Sequence, residues 1–260
     1  NLISGSGSLT KLAANTLTLT AANTYSGGTT VSGGTLKAGI SSTGSITNGA
    51  FGTGLITVQS GYTFDLNGFN VANALNLSGA GIGSNGAMVN SSATAVTESG
   101  AITIASTTSL GGTGAMTLSG AISASSNAVS FVNGANFTAT NTGNSIQNIA
   151  ITNSALTLKT NQSLSVAGSS LSGATTLQTV AADKDITISG AITNTLNGNS
   201  LTLMAARSIN FSSSVSGATG KSLNVSAYSD TDNTGGGAIR FTSYISTFGG
   251  NVMLGGGTSD

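Results

Sequence analysis

Asn23-Thr24-Tyr25-Ser26-Gly27-Gly28-Thr29-Thr30-Val31-Ser32-Gly33-Gly34-Thr35-Leu36-Lys37-Ala38-Gly39 is the stretch on which the fold turns. Two Gly-Gly pairs flank a short β run, Thr29 to Ser32, and a second run, Thr35 to Ala38, follows at once. Gly-Gly supplies the positive φ angles that a sharp change of direction needs, whereas Thr and Val suit an extended, half-buried backbone. Two folds accommodate this pattern. In a β-hairpin the second pair joins antiparallel strands; in a stacked β-coil each pair is a corner between faces. The stretch by itself leaves the choice open.

Spacing further along makes the choice. An apolar-polar-apolar triplet recurs as Leu17-Thr18-Leu19, Ile56-Thr57-Val58, Ile102-Thr103-Ile104, Met116-Thr117-Leu118, Leu156-Thr157-Leu158 and Leu164-Ser165-Val166. It continues as Ile186-Thr187-Ile188, Leu201-Thr202-Leu203, Ile209-Asn210-Phe211 and Leu223-Asn224-Val225. Period two means a strand with one face buried and one wet. No helical spacing persists beyond a turn, so helix should be near nil. One set of triplet starts falls at 156, 177, 201 and 223, and an interleaved set at 164, 186 and 209. Gly-Ala-Ile recurs at Gly100, Gly120, Gly190 and Gly237, near whole multiples of the same step. A meander of hairpins needs no such register, while coils that cover one another's apolar faces do.

The expected fold is therefore all-β, a parallel β-helix (β-solenoid) with coils of about 20–24 residues. At about 4.8 Å per stacked strand the chain would make roughly 11 to 12 coils and a rod near 55 Å long. The inward positions are Leu17, Leu19, Val31, Ile56, Val58, Ile102, Ile104, Leu156, Leu158, Ile186, Ile188, Leu201, Leu203, Leu223 and Val225, with the central Thr or Ser of each triplet outward. Asn67-Gly68, Asn133-Gly134 and Asn197-Gly198 are turn dipeptides suited to corners. The absence of proline fits a chain in which nearly every N–H is needed by a ladder. Residues 1–260 are expected to form one continuous segment, with Gly79 to Gly100 either a longer loop or a change of coil style.

Composition excludes several classes. Seven basic and seven acidic residues in 260 leave no net charge, so nucleic acid, which needs clustered Lys or Arg, is not an expected partner. No apolar run approaches the length of a membrane span, and membrane insertion by this segment is not expected. Hydrophobic residues make up 38%, too many for a disordered chain of zero net charge. Without cysteine, disulfides contribute nothing. The chain opens at Asn1 without a charged n-region or apolar h-region, and both ends read as cut through a solenoid.

Chemistry has few carriers here. With no histidine, acid-base work would fall to Asp65, Glu98, Asp183, Asp185, Asp230, Asp232 and Asp260. Asp65 and Glu98 stand alone in sequence, and Asp183-Lys184-Asp185 reads as a solvated corner. Asp230-Thr231-Asp232-Asn233-Thr234-Gly235-Gly236 places oxygen ligands at alternate positions before glycines, which makes Asp230, Asp232 and Asn233 a weak calcium candidate. A plain acidic corner is the competing reading, since the glutamate that closes an EF-hand loop is missing. No Ser nucleophile can be named without a base, and Gly5-Ser6-Gly7 and Gly81-Ile82-Gly83 lack the helix that phosphate cradles precede. Tyr25, Tyr62, Phe64, Phe69, Phe211, Phe241, Tyr244 and Phe248 are assigned to core or corner packing. No catalytic residue and no resident cofactor is expected.

Residues 8–39, SLTKLAANTLTLTAANTYSGGTTVSGGTLKAG, resemble the autotransporter-associated β-strand repeat of bacterial passenger domains, and TVQSGYTFDLNG at 57–68 is similar to the strand-turn-strand that follows it. From about 100 to 257, DITISGAITNTLNGNSLTLMAARSINF and GGGAIRFTSYISTFGGNVMLGG resemble coils of filamentous-haemagglutinin-like exoproteins. Both resemblances imply a right-handed β-helix at the surface of a Gram-negative bacterium, serving as an adhesin stalk or scaffold. Neither a C-terminal membrane barrel nor a secretion domain is recognisable in these residues. The partners so implied are neighbouring β-helical rods, surface glycans or surface proteins. A carbohydrate-active β-helix enzyme is the alternative. An ice-binding solenoid fits poorly, because Leu-Thr-Leu exposes one Thr per strand and not two.

Overall fold

A computed structural model describes residues 1–42, 46–134 and 136–256; Asp260 lies outside them. Strands carry nearly all the regular structure, every described ladder is parallel, and the one antiparallel contact is an isolated bridge between Asn23 and Gly49. The chain is an all-β parallel β-solenoid of about 10 turns with about 22 residues per coil. Its contacts divide it into two compact units, Asn1–Ala135 and Asn136–Asp260.

The opening stretch is resolved as coil. Thr29–Val31 lies parallel between Leu9–Lys11 and Ile56–Val58, while Thr35–Ala38 lies parallel between Thr16–Leu19 and Thr63–Asp65. The two runs therefore belong to different faces, with Gly33-Gly34 as the corner between them. That corner needs glycine twice over. Gly34 has φ 53°, and a Cβ on either residue would drive into the backbone carbonyls of Leu12, Ala14 and Asn15 in the preceding coil.

In the first unit one face is built from Leu9–Lys11, Thr29–Val31, Ile56–Val58, Leu75–Gly79, the start of Ile102–Gly112, and Ile122–Ser123. Its coil lengths are uneven. Leu9 pairs with Thr29, Thr29 with Ile56, Ile56 with Leu75, and Leu75 with Ile102, so steps of about 20 alternate with steps of 27. The extra length in the last of these steps includes the described residues' one helical element, a 3-10 turn at Ile82–Ser84. Gly79 to Gly100 thus holds an excursion around that turn, followed by the strands Met88–Asn90 and Val96–Glu98.

The second unit is more regular. Leu164–Val166, Ile186–Ile188, Ile209–Phe211 and Ile239–Phe241 stack on one face. Ser169–Leu171, Ile192–Asn194, Val215–Gly217 and Ile245–Ser246 form a second. Thr175–Thr179, Asn199–Met204, Leu223–Tyr228 and Val252–Gly255 form a third. Leu164 pairs with Ile186 and Ile186 with Ile209, steps of 22 and 23; Ile209 to Ile239 takes 30, because Asp230 to Gly237 is inserted. Gly-Ala-Ile does not follow one face. Ile102 and Ile122 are register partners, but Ile192 and Ile239 sit on different faces, so the motif marks a step from corner to strand and not a period.

The inward assignments hold from Val31 to Val225, where those side chains are at most 2% exposed. Each such Leu or Ile contributes about 1.5–3 kcal/mol of burial. Leu17, expected inside, is 36% exposed, and Leu19 is half-buried. They lie in the first coil, which has a described neighbour on one side only. Phe241, Tyr244 and Phe248 in the last coil depart from the packed assignment for the same reason, at 44%, 62% and 50% exposure. Phe241 still stacks on Phe211, centroids 4.8 Å apart. Tyr25, Phe64 and Phe211 are buried as expected.

Candidate functional site

Outward residues in register make continuous rows. On the first unit, Thr10, Thr30, Thr57, Asn76, Thr103 and Ser123 follow one another across the face. On the second, Thr138, Thr157, Thr176, Thr202 and Ser226 form one row, and Ser170, Thr193, Ser216 and Ser246 another. Parallel pairing fixes their spacing at about 4.8 Å. These rows offer hydroxyls and amides without a charge among them.

One outward face departs from this plainness. Thr63 and Asp65 occupy outward positions on Thr63–Asp65 yet are only 6% and 4% exposed. The excursion at 80–86 covers the first: Thr63 Oγ1 donates to the Gly86 carbonyl at 3.1 Å and accepts the Ile82 N–H at 3.0 Å. Ser91 covers the second. Asp65 Oδ1 accepts the N–H groups of Asn67 and Ser91, and Oδ2 accepts the Ser91 hydroxyl at 2.6 Å and pairs with Lys37 Nζ at 3.3 Å. Lys37 also donates to Ser91 Oγ. A groove of about 280 Å³ runs beside this network, lined by Lys37, Thr35, Asp65, Asn85 and Ser91 among others. A second, of about 240 Å³, shares Asn85, Val89 and Ser91 with it and extends to Thr113 and Asn133. Asn133 Nδ2 donates to Asn85 Oδ1 at 2.8 Å, which ties the excursion to a later coil.

Asp65, isolated in sequence, is not isolated in space. Lys37 and Asp65 are register partners one coil apart, but the coil between them is longer than the period that the triplets carry. Ser91 and Asn85 gave no signal, since serines and asparagines occur throughout.

The other carboxylates are dispersed. Glu98 is wholly buried on Val96–Glu98; its Oε1 accepts the Gly100 N–H at 2.7 Å and its Oε2 has no hydrogen-bond partner among the described residues. Burial pushes its pKa well above the ordinary 4.5, outweighing the Gly100 bond. Asp185 meets Arg207 of the next coil through two bonds, at 2.8 and 2.6 Å, and accepts the Ser208 N–H. The Arg207 bond holds its pKa below the ordinary 3.8. Asp183 is an exposed corner residue with φ 59°.

Asp230, Asp232 and Asn233 do come together in one turn. The Asn233 N–H donates to the Asp230 carbonyl, and both Asp230 and Asn233 have positive φ. Asp230 Oδ1 accepts the Gly235 N–H at 3.0 Å, and Asp232 Oδ1 accepts the Thr234 hydroxyl at 3.0 Å. Asp232 Oδ2 is buried without a hydrogen bond among the described residues. Among the described residues no group of three or more His, Cys, Asp or Glu is placed to hold a metal ion, and no helix is long and apolar enough to cross a membrane.

Residues 5–38 match the family model of the passenger-associated-transport-repeat. These are the residues of the first stacked strands, Leu9–Lys11 to Thr35–Ala38, and of the Gly33-Gly34 corner. The resemblance read at 8–39 thus has independent support, consistent with an autotransporter passenger, and such passengers are secreted to the surface of Gram-negative bacteria. The match ends at residue 38 and lends no support to the haemagglutinin-like resemblance read from about 100. No curated protein and no solved structure matches the chain.

Proposed function

We propose that the chain is a structural, adhesive segment of an exported bacterial surface protein, a stiff solenoid that presents its faces to neighbouring rods or to surface glycans. The passenger repeat stacked directly into the first coils carries this reading. The ladder supports the mechanical part: consecutive coils share strand hydrogen bonds on several faces, so bending must break ladders. The outward rows support the adhesive part, since uncharged hydroxyls and amides meet one another without repulsion. A catalytic role finds less to build on. Asp65 is committed to Lys37 and Ser91, Asp185 to Arg207, and Glu98 is sealed in the core.

Intact cells of the producing bacterium test the reading. Antibody raised against residues 1–260 should label unpermeabilised cells, and added protease should remove the label. Mixing producing and non-producing cells should show clumping confined to producers. Labelling only after permeabilisation would overturn the surface assignment; labelling without clumping or glycan binding would leave a scaffold and remove the adhesin.

A further inference from the structure

We propose that the double groove beside Lys37, Asp65 and Ser91 is a binding site for an uncharged oligosaccharide. The two halves share three lining residues, and together they pass the roughly 300 Å³ at which small-molecule sites begin. Their chemistry selects the ligand by elimination. Lys37 is matched by Asp65, so an anion gains no net charge to bind. Asp65 already accepts from Asn67, from Ser91 twice and from Lys37, which leaves a cation no lone pair to use. The strands under the groove, Thr35–Ala38 and Thr63–Asp65, are each paired on both sides, so a peptide cannot add to their ladder. No aromatic ring lines it to stack a base or nucleoside.

What the groove offers is a set of unspent neutral groups around a fixed ion pair. The Thr35 hydroxyl and the Asn85 amide nitrogen take no partner among the described residues, and Lys37 has one donor left after its bonds to Asp65 and Ser91. Val89, 8% exposed, adds a small apolar edge to the lining. A polyol that donates and accepts along its ring fits such a surface; the ladder holds Thr35 and Lys37 in place without ligand, and the Asn133 amide holds Asn85. The proposal names a ligand class for the adhesive reading above and depends on it only for where the ligand is met.

Calorimetric titration of the 260-residue chain with uncharged tetrasaccharides of glucose, mannose and N-acetylglucosamine tests it, with a sulfated tetrasaccharide and tetraglycine as controls. At least one uncharged sugar should bind with a Kd at or below about 1 mM. Asn85→Ala and Thr35→Val should each weaken it by about tenfold, with the melting temperature unchanged for Thr35→Val and lowered by no more than about 2 °C for Asn85→Ala, which gives up the exposed Asn133 bond, while Thr187→Val has no effect. Asn85 is exposed and Thr35 loses only a hydroxyl, so both variants should fold. Binding by none of the uncharged sugars, tighter binding of the sulfated sugar or of tetraglycine, or binding indifferent to both variants would overturn the proposal. Because the titration is done in solution, its outcome is independent of whether the cells display the protein.

Discussion

The coils from Leu164 to Tyr228 and those from Ile56 to Ile102 each bury a stack of inward Leu, Ile and Val and differ in what happens outside it. In the former, Leu164, Ile186 and Ile209 follow one another in near-equal steps, corners are short, and outward Thr, Ser and Asn stay half-exposed. In the latter, the long step from Leu75 to Ile102 includes a 3-10 excursion that folds back on the sheet, burying Thr63 and Asp65 at outward positions. The inward stack depends on period, whereas local chemistry depends on residues added between corners. A solenoid can therefore acquire a site by lengthening one coil without disturbing the ladder.

The largest effect should come from the inward stack itself. Ile188→Asp places an unpaired carboxylate in a wholly buried position and should cost several kcal/mol, on the order of the severe core substitutions. Thr187→Asp, one residue along and outward, should change stability by about 0.5 kcal/mol or less. Urea denaturation reads both; equal tolerance would overturn the inward-outward assignment.

Next comes the comparison of outward positions. Asp65→Ala leaves the Ser91 and Asn67 N–H groups without their acceptor and should cost about 2 kcal/mol. Thr187→Ala, outward on a plain coil, should be nearly neutral. If the two cost the same, the excursion does not alter what an outward residue does.

Glu98 and Asp185 set the two units apart by pH. Because the folded pKa of Glu98 is raised, its stability contribution is fully present below the ordinary 4.5 and is lost as pH rises from there through the folded value, while the unfolded chain ionises and the buried side chain resists. Glu98→Gln should match the parent near pH 4 and melt at progressively higher temperature than it above that. A constant gap at all pH values would show that burial does not control this group. Asp185 works in the opposite direction. Its pKa is lowered, so its contribution is present above the ordinary 3.8 and is lost as pH falls through the folded value. Asp185→Asn should therefore flatten the acid limb slightly, by little because Arg207 is largely exposed.

The inward stack was legible in sequence because Ile186-Thr187-Ile188 and its counterparts carry two periods at once, one within the strand and one between coils. Leu17 was misplaced because a triplet has the same pattern whether or not a coil covers it. The groove was not legible for a different reason. Lys37 and Asp65 meet only because their coil is longer than the common period, and nothing in the intervening Gly- and Ser-rich residues marks where the extra length goes. Asp230 to Gly237 was visible as an acidic cluster, since charge is scarce, but composition could not say which oxygens its own backbone would use.

That loop supplies the smallest expected effect. It lengthens the coil between the register partners Ile209 and Ile239, as the excursion lengthens a coil in the first unit, and so asks whether every added segment brings a site. Calcium requires about six to eight oxygen ligands. Here Asp230 Oδ1 is held by the Gly235 N–H and Asp232 Oδ1 by Thr234, which leaves Asp232 Oδ2 as the conspicuous spare. Binding at a millimolar Kd would add only about 0.4 kcal/mol at equal calcium, and the melting temperature should rise by no more than about 1–2 °C. A rise of many degrees that Asp232→Asn abolishes would make the loop a calcium site. The added segments of both units would then be functional insertions, each on its own unit's stack, and the plain coils only their spacers.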